Sequence, residues 1–343
     1  MKNSIIIVLL TAVYALSHGQ EITLIDKASD NRMDVMIDGK LFTSYCWPDN
    51  VFKPILYPVI TSAGSEITRG YPIKPKTGER ADHSHHTGLW LTYGNVDGSD
   101  FWGNGSKGLG IQNDNGGVIK HLKIEKVSDG MGKAAMLTVE SWTDKSGKEL
   151  LREFTEYHFM VSGSTRMIDR ITTLTAGENE VSMPDTKEGM FGIRVARELE
   201  LPSEGEITLY GADGLATKVK EASNEGISGN YRSSEGVSGL EVWGTRAKWM
   251  NLYGNIGDDK ISLVICDHPK NPSYPSYWHA RGYGLFAVNP FGWNDFTKGK
   301  EQLNFSILAG QSVTFRYRVI ISSGIHLNDA DINTHADDFA SKY

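Results

Sequence analysis

The chain has 343 residues, and its formal net charge is -7. An acidic chain without a basic patch lacks the surface that binds phosphate backbones, so we exclude DNA and RNA and expect a small-molecule or neutral polymer ligand. The two cysteines, Cys46 and Cys266, are too few for a disulfide framework. We expect both to be buried free thiols, with a single bridge between them as the alternative.

The first 19 residues predict an export signal that is later removed. Lys2 provides a positive start, residues 5–16 an apolar core, and residues 15–19 small side chains for cleavage. We therefore predict a periplasmic or extracellular protein in which residues 20–343 form a single domain. No later stretch reaches the roughly 18 to 20 apolar residues of a membrane helix, so we expect no membrane span.

Almost every periodic segment of the mature chain predicts a β-strand. The strand candidates are residues 34–37, 40–46, 136–142, 150–161, 165–174, 261–266 and 313–321. Asp38-Gly39 between the first two is a two-residue hairpin signal. Helical periodicity occurs only near the end, where Asn328 or Asp329 can cap a helix over residues 331–340. Together with 37 glycines, this pattern predicts an all-β fold, a large sandwich or barrel with a short C-terminal helix.

Three histidines, His83, His85 and His86, fall within four positions at the start of a stretch rich in aromatic side chains. In an extended strand, side chains two apart share a face, so we predict that His83 and His85 project together and His86 points away. Such a pair could transfer protons or bind substrate, could hold a metal ion, or could be satisfied by backbone groups. The residues alone leave all three interpretations open.

Further binding candidates flank this histidine cluster. We expect Trp102 at the rim of a loop, where an indole can stack on a sugar. Asp100 could either bind ligand or cap backbone amides. Upstream, Arg69 and Tyr71 are candidates for substrate binding, because the forked donors of arginine suit a carboxylate; the alternative for Arg69 is an ordinary surface position.

A strand over residues 191–195 places apolar side chains on one face and Arg194 on the other. Glu188 just before it is a possible acidic neighbour. The two residues predict either a substrate-binding element or a structural salt bridge.

A second polar and aromatic cluster runs from residue 268 to residue 294. The period-2 rule places Tyr277, His279, Arg281 and Tyr283 on one strand face. We predict that His279 acts as a general acid or base beside Arg281, which would stabilise developing negative charge. The other binding candidates of this cluster are His268, Tyr274, Trp278, Asn289 and Trp293.

These motifs resemble the PmoA-like family of exported bacterial proteins over most of the mature chain. The resemblance is carried by Asp82 to Trp90 with Asp100-Phe101-Trp102, by Phe191 to Ala196, and by His268-Pro269 through Trp278-His279 to Asn289-Pro290-Phe291-Gly292. The label "methane oxygenase" often attached to that family does not fit, because the methane monooxygenase subunit of that name is a helical membrane protein.

The resemblance implies a galactose-mutarotase-like supersandwich, in which a sugar lies across a concave sheet. By this analogy His83 or His85 and His279 are the acid and base, and Arg69, Arg194 and Arg281 surround the substrate. The leading hypothesis is an exported carbohydrate-active enzyme, a lyase, hydratase or epimerase that removes and returns protons at a sugar carbon.

Two rival hypotheses belong to other classes. The first is a non-catalytic glycan-binding protein in which Trp102, Trp278 and Trp293 stack on sugar. The second is a metal-dependent hydrolase or oxidoreductase, with a divalent metal held by His83, His85 and His279. The sequence leaves the cofactor open.

Overall fold

The computed structural model describes residues 19–104 and 114–343. The strands within these ranges are β1 (Glu21–Lys27), β2 (Arg32–Ile37), β3 (Lys40–Cys46), β4 (Ile55–Val59), β5 (Leu89–Tyr93), β6 (Val118–Ser128), β7 (Gly130–Met131), β8 (Lys133–Thr143), β9 (Glu149–Ser162), β10 (Thr165–Ala176), β11 (Val181–Met183), β12 (Gly189–Arg194), β13 (Ile207–Tyr210), β14 (Ala216–Val219), β15 (Asn230–Ser233), β16 (Trp249–Ile256), β17 (Asp259–Asp267), β18 (Tyr277–Ala280), β19 (Leu285–Asn289), β20 (Phe305–Ile307) and β21 (Ser312–Ser323). The α-helices are α1 (Trp293–Phe296) and α2 (Asp329–Lys342). The predicted export signal lies outside these ranges apart from its last residue and stays a prediction.

Two large antiparallel sheets dominate the part of the chain that the structure describes. The nine-stranded sheet has the order β18-β19-β12-β5-β4-β3-β2-β1-β7, and the eight-stranded sheet has the order β15-β16-β17-β21-β10-β9-β8-β6. The pairs β11-β20 and β13-β14 form two small additional sheets. The prediction of an all-β sandwich with a short C-terminal helix is therefore confirmed.

Local sequence signals explain how individual elements begin and turn. Asp38 and Gly39 have φ angles of 49° and 71° between β2 and β3, as a type I′ turn requires. At the start of α2, the Asn328 side chain accepts hydrogen bonds from the backbone N–H groups of Ala330 and Asp331. The sequence predicts both the turn and the helix cap, because each depends only on neighbouring residues.

The main core lies between the two large sheets. Phe42 packs against Phe159 with ring centroids 6.4 Å apart, and Phe191 stacks on Tyr317 at 4.9 Å. Alternation along each strand sends every second side chain to the opposite face of the nine-stranded sheet. In β5, Leu89 belongs to the main core, whereas the buried Trp90 belongs to a separate cluster on the outer face. That outer face carries the candidate site.

Helix α2 covers the outer face of the eight-stranded sheet. Ile332 and Phe339 pack in a small core cluster with Trp249, Val264 and Ile320. Cys46 and Cys266 are both free thiols, as expected from the sequence, but only Cys266 is buried, whereas Cys46 is partly exposed. Of the helices in residues 19–104 and 114–343, none combines the length and apolar character needed to cross a bilayer.

Candidate functional site

Residues 82–88, which we name the histidine loop, form a turn rather than the predicted strand. His83 has a φ of 42°, in the left-handed region, and its carbonyl accepts a hydrogen bond of 2.9 Å from the His86 N–H. The turn brings all three imidazoles to one place. The prediction that His86 points away from His83 is therefore wrong, because it assumed an extended backbone.

Arg69 holds the histidine loop by its backbone. Its side chain is only 1% exposed. Nη1 donates to the carbonyls of Arg80 at 3.1 Å and Asp82 at 2.9 Å, and Nη2 donates to those of His83 at 2.9 Å and His86 at 3.0 Å. Arg69 does not line the cavity described below. The predicted substrate contact and the surface alternative are both corrected to a buried structural role.

Arg194 supports the same loop from the sheet. As predicted, it points to the face opposite Phe191, but it is fully buried and pairs with Asp82 rather than with Glu188. Its Nη2 lies 2.7 Å from Oδ1 of Asp82, and its Nη1 lies 3.2 Å from Nδ1 of His86. A guanidinium only donates, so Nδ1 of His86 accepts and Nε2 carries the proton.

Asp82 therefore compensates two buried guanidinium groups, since its Oδ1 lies 2.8 Å from Nη1 of Arg69 as well. Burial pushes the pKa of Asp82 upward, yet Arg194, the hydrogen bond with His83 and the charge of Arg69 hold it well below its usual range. The carboxylate is ionised wherever the protein is folded near neutral pH.

A cavity of about 460 Å³ opens beside the histidine loop. It is lined by His83, His85, His86, Gly94, Asp100, Trp102, Gly103, Lys187, Glu188, His279, Arg281 and Tyr283. The cavity thus gathers residues from both sequence clusters and from the segment before β12. Its walls combine imidazoles, both signs of charge and aromatic rings, which is the composition of a small polar ligand site.

His279 is the most completely oriented imidazole in the cavity. Its Nδ1 lies 2.8 Å from the carbonyl oxygen of Lys187, which can only accept, so Nδ1 carries the proton and Nε2 the lone pair. Burial, followed by the charge of Arg281, lowers the pKa of His279 to about 3. Burial and the charge of Lys53 likewise lower the pKa of His85 to about 3. Both rings are neutral near pH 7 and can accept a proton.

Parallel rings form one wall of the cavity. His83 stacks on Tyr283 with centroids 5.1 Å apart and on His86 at 5.0 Å, with planes within 4° of each other. Trp102 is 1% exposed and lies 5.6 Å from His86 and 6.3 Å from His279. Its predicted position at a loop rim is wrong, because the indole is part of the buried floor.

The charged side chains of the cavity differ in their partners. Oδ1 of Asp100 accepts the N–H groups of Trp102 at 2.9 Å and Gly103 at 2.7 Å, so the capping interpretation holds even though the residue lines the cavity. Nζ of Lys187 lies 3.0 Å from Oε1 of Glu188. Arg281 lies over the Trp243 ring, 4.5 Å from its centroid.

Several predicted binding residues lie outside this cavity. Alternation in β18 places Trp278 in the main core, with its Nε1 donating to the carbonyl of Ala247, while His279 faces the cavity. Asn289 is buried and donates to the carbonyl of Thr186. Tyr277 lies on the same face of β18 as His279, and both rings contact Phe296, but Tyr277 does not line the cavity.

The remaining candidates also lie outside the cavity. His268 is fully buried and packs against Phe339 of α2 at 5.0 Å. Trp293 packs under Arg246, and Tyr71 lies near Tyr210. Tyr274, in the proline-rich loop before β18, is likewise not among the cavity residues. These differences share one reason. The aromatic and polar residues identify the two clusters in the sequence, but the direction of each side chain determines whether that residue lines the cavity.

Lys53 is a residue that sequence reasoning missed. It is 3% exposed; its Nζ donates to the carbonyl of His85 at 2.5 Å and lies 4.8 Å from the Trp90 ring centroid. Burial lowers its pKa to about 7, although the nearby Asp100 acts in the opposite direction. A single lysine in an irregular segment carries no sequence signal that could have indicated this position.

His83, His85 and His279 line one cavity, but they do not form the predicted metal site. Across residues 19–104 and 114–343, no three His, Cys, Asp or Glu side chains are grouped so that they could hold an ion. His83 and His85 have ring centroids 5.7 Å apart and a T-shaped arrangement. The three histidines that the sequence suggests as metal ligands are therefore not arranged around a common point.

The sequence matches a family described as a family of unknown function, DUF6807, over residues 32–337. The chain belongs to DUF6807. This membership assigns no activity and does not test the resemblance to the PmoA-like family. Among curated proteins, none matches the sequence significantly.

Solved structures similar to this DUF6807 chain include enzymes that act on carbohydrates. The GH36 alpha-galactosidase AgaA from Geobacillus stearothermophilus is 11% identical, with a TM-score of 0.39 over 88% of this chain and 40% of the other. A glycoside hydrolase family 97 enzyme in complex with acarbose, from Pseudoalteromonas sp. strain K8, is 10% identical, with a TM-score of 0.30 over 89% and 34% of the two chains. The protein Slr1438 from Synechocystis sp. PCC 6803 is 8% identical, with a TM-score of 0.30 over 90% and 99%.

This chain therefore spans about 40% of the length of the alpha-galactosidase that it matches. Likenesses this weak assign neither an activity nor a substrate to the DUF6807 chain.

Proposed function

We propose that this protein is an exported carbohydrate-active enzyme that removes and returns protons at a sugar carbon, as a lyase, hydratase or epimerase. The observation that supports this most directly is His279. It is a buried neutral imidazole whose tautomer is fixed by the Lys187 carbonyl, in a cavity of about 460 Å³ large enough for a sugar ring. The Nε2 lone pair of this ring is free of a proton near neutral pH and is available to accept one.

The other required groups lie in the same cavity. Proton removal from carbon needs a cation near the enolate-like charge, and Arg281 provides one two residues after the base. A leaving oxygen needs a proton donor. His83 is the candidate acid, with its Nδ1 3.4 Å from Oδ2 of Asp82. His85, from the first sequence cluster, is the second neutral imidazole of the cavity.

Two earlier alternatives receive less support. A passive glycan-binding module was expected to stack sugar on Trp102, Trp278 and Trp293, but the first two are buried and the third packs under Arg246. The metal-dependent alternative lacks its ligand set among residues 19–104 and 114–343. Export remains part of the proposal, supported by the N-terminal sequence pattern.

The proposal is tested by replacing the two neutral bases. We expect His279→Ala and His85→Ala to lower turnover by about 10²- to 10⁴-fold on any sugar that the parent protein converts. Turnover would be followed by carbohydrate chromatography and by exchange of carbon-bound hydrogen in D₂O. His335→Ala in α2 is the matched control, because His335 is half-buried like His85 but lies outside the cavity.

Circular dichroism spectra would show that each variant is folded. If both folded cavity variants convert sugars as fast as the parent, the histidines do no acid–base chemistry and the proposal is lost.

A further inference from the structure

We propose that the cavity recognises a sugar acid, a monosaccharide or chain end bearing a carboxylate, through the guanidinium of Arg281. The inference rests on the proposed function in one respect, namely that the cavity binds a sugar. The inference adds that the ligand is negatively charged and that Arg281 recognises this charge.

Arg281 is a cation without a counter-charge. In residues 19–104 and 114–343, no carboxylate forms a salt bridge with it, and its buried Nε has no hydrogen-bond partner. The other arginines around the histidine loop are paired: Arg194 and Arg69 with Asp82, and Arg80 with Glu200. A forked guanidinium is the side chain best matched to a carboxylate, so an unpaired one on a cavity wall favours a ligand of that chemistry.

The remaining charges of the cavity are already balanced within the protein. Lys187 pairs with Glu188, and Asp100 accepts two backbone N–H groups while its charge acts on the neighbouring Lys53. Behind the histidine loop, the single carboxylate of Asp82 faces two guanidinium groups. The site is therefore locally positive in a protein whose net charge is -7, and a positive cleft concentrates anionic ligands.

The backbone of Arg281 is fixed before any ligand arrives. Its N–H donates to the carbonyl of Leu285 at 2.7 Å, and its own carbonyl accepts from Gly284 N–H at 3.0 Å and from Tyr231 Oη at 3.2 Å. The guanidinium rests on Trp243. A cation held in place in this way loses little conformational freedom when it binds a carboxylate.

A carboxylate bound at Arg281 would also suit the proposed chemistry. Pairing with the guanidinium disperses the charge of the carboxylate and so makes the C–H bond on the adjacent carbon more acidic. His279, which lies two residues away and feels the charge of Arg281, is the neutral base on the same wall.

The test compares sugars that differ only in the carboxylate. We expect D-galacturonate to bind the parent protein about ten times more tightly than D-galactose, and D-glucuronate about ten times more tightly than D-glucose, as measured by titration calorimetry. Raising the salt concentration should weaken binding of the acids and leave the neutral sugars unchanged. The methyl ester of glucuronate should bind like glucose.

Arg281→Gln should abolish the preference, so that each acid binds no more tightly than its neutral counterpart, and Arg281→Lys should keep part of the preference. The matched control is Arg152→Gln, which removes an exposed arginine that pairs with Glu149 and should keep the full preference. If Arg281→Gln does not fold, Arg281→Lys and the salt dependence decide the question.

The outcomes separate the two proposals. Equal binding of acid and neutral sugars by the parent, or a preference that persists in Arg281→Gln, overturns the role of Arg281 and leaves the proposed function standing. If neither kind of sugar binds, the proposed function itself fails, and the role of Arg281 fails with it.

Discussion

At the scale of single residues, Asp82 is the group on which the site depends most. It compensates both Arg69 and Arg194, whose side chains are at most 1% exposed. Removing one member of a buried charge network leaves the other members uncompensated, which usually costs more than the pair contributes. The side chain that balances the buried charges behind the histidine loop is therefore not one of the residues that line the cavity.

We predict that Asp82→Asn lowers the free energy of unfolding by about 3 to 5 kcal/mol, because two buried guanidinium groups lose their counter-charge. Urea unfolding at pH 7 measures the change. Glu206→Gln, which breaks an exposed pair with Lys218, is the control and should change stability by less than about 1 kcal/mol. A loss no larger than that of the control would show that the arginines are stabilised by their carbonyl partners alone.

The same carboxylate gives a pH dependence with a definite sign. The pKa of Asp82 is lower in the folded protein than its ordinary value of 3.8, so its contribution to stability is complete above that value and is lost as the pH falls further. The stability difference between the parent and Asp82→Asn should therefore be constant from about pH 7 to pH 5 and narrow below about pH 4. A difference that widens on acidification would contradict this linkage.

At the scale of elements, the sequence predicts strands and turns correctly where the pattern depends on neighbouring residues. It fails where the course of the backbone depends on residues that are distant in the sequence. The alternation in residues 313–321 identified β21, and the turn at Asp38-Gly39 identified the hairpin of β2 and β3. For the histidine loop, the sequence predicts a strand where the structure shows a turn. Its actual course is set by Arg69, 13 or more positions upstream of the carbonyls of Asp82, His83 and His86. No periodicity in the sequence encodes such a contact.

The cap of α2 offers a prediction for an element. We expect Asn328→Ala to destabilise the protein by about 1 kcal/mol, because the N–H groups of Ala330 and Asp331 lose their acceptor. Asn328→Asp should be nearly neutral, since aspartate caps equally well. Urea unfolding monitored by far-UV circular dichroism would report both effects. Equal loss in the two variants would exclude capping as the cause.

At the scale of the whole molecule, buried neutral histidines make stability depend on pH well above the range of the carboxylates. Burial lowers the pKa of His279 from its ordinary 6.5 to about 3, and it lowers the pKa of His86 as well. The unfolded chain therefore binds protons that the folded chain does not. Stability is complete above about pH 6.5 and falls as the pH decreases.

We predict a steady loss of unfolding free energy between about pH 6 and pH 4, with each such histidine contributing at most about 1.4 kcal/mol per pH unit. His279→Gln should make the decline less steep by up to that amount, whereas a surface substitution such as Glu206→Gln should not. Chemical denaturation at several pH values measures the slope. An unchanged slope in His279→Gln would mean that this ring is protonated in the folded protein.

The architecture of the molecule was largely predictable, and the convergence of its two sequence clusters depends on it. β5 and β19 flank β12 in the nine-stranded sheet, so residues near 90 and near 285 share one outer face although about 200 positions separate them. Trp102, Trp278 and Lys53 show what could not be predicted. Whether an indole lies in the core or beside a cavity, and which lysine is buried, depends on packing between segments that are distant in sequence.

The hydrogen bonds between Arg69 and the histidine loop affect which substitutions the loop tolerates. Four of its contacts are to backbone carbonyls, which every amino acid possesses. The course of the loop is therefore set mainly by main-chain contacts, with the one restriction that position 83, at a φ of 42°, favours residues such as asparagine and aspartate that adopt the left-handed region. Other side chains can replace the imidazoles at positions 83 and 85 while the backbone of the loop keeps its course. The fold can therefore acquire a different chemistry through substitutions at these two positions.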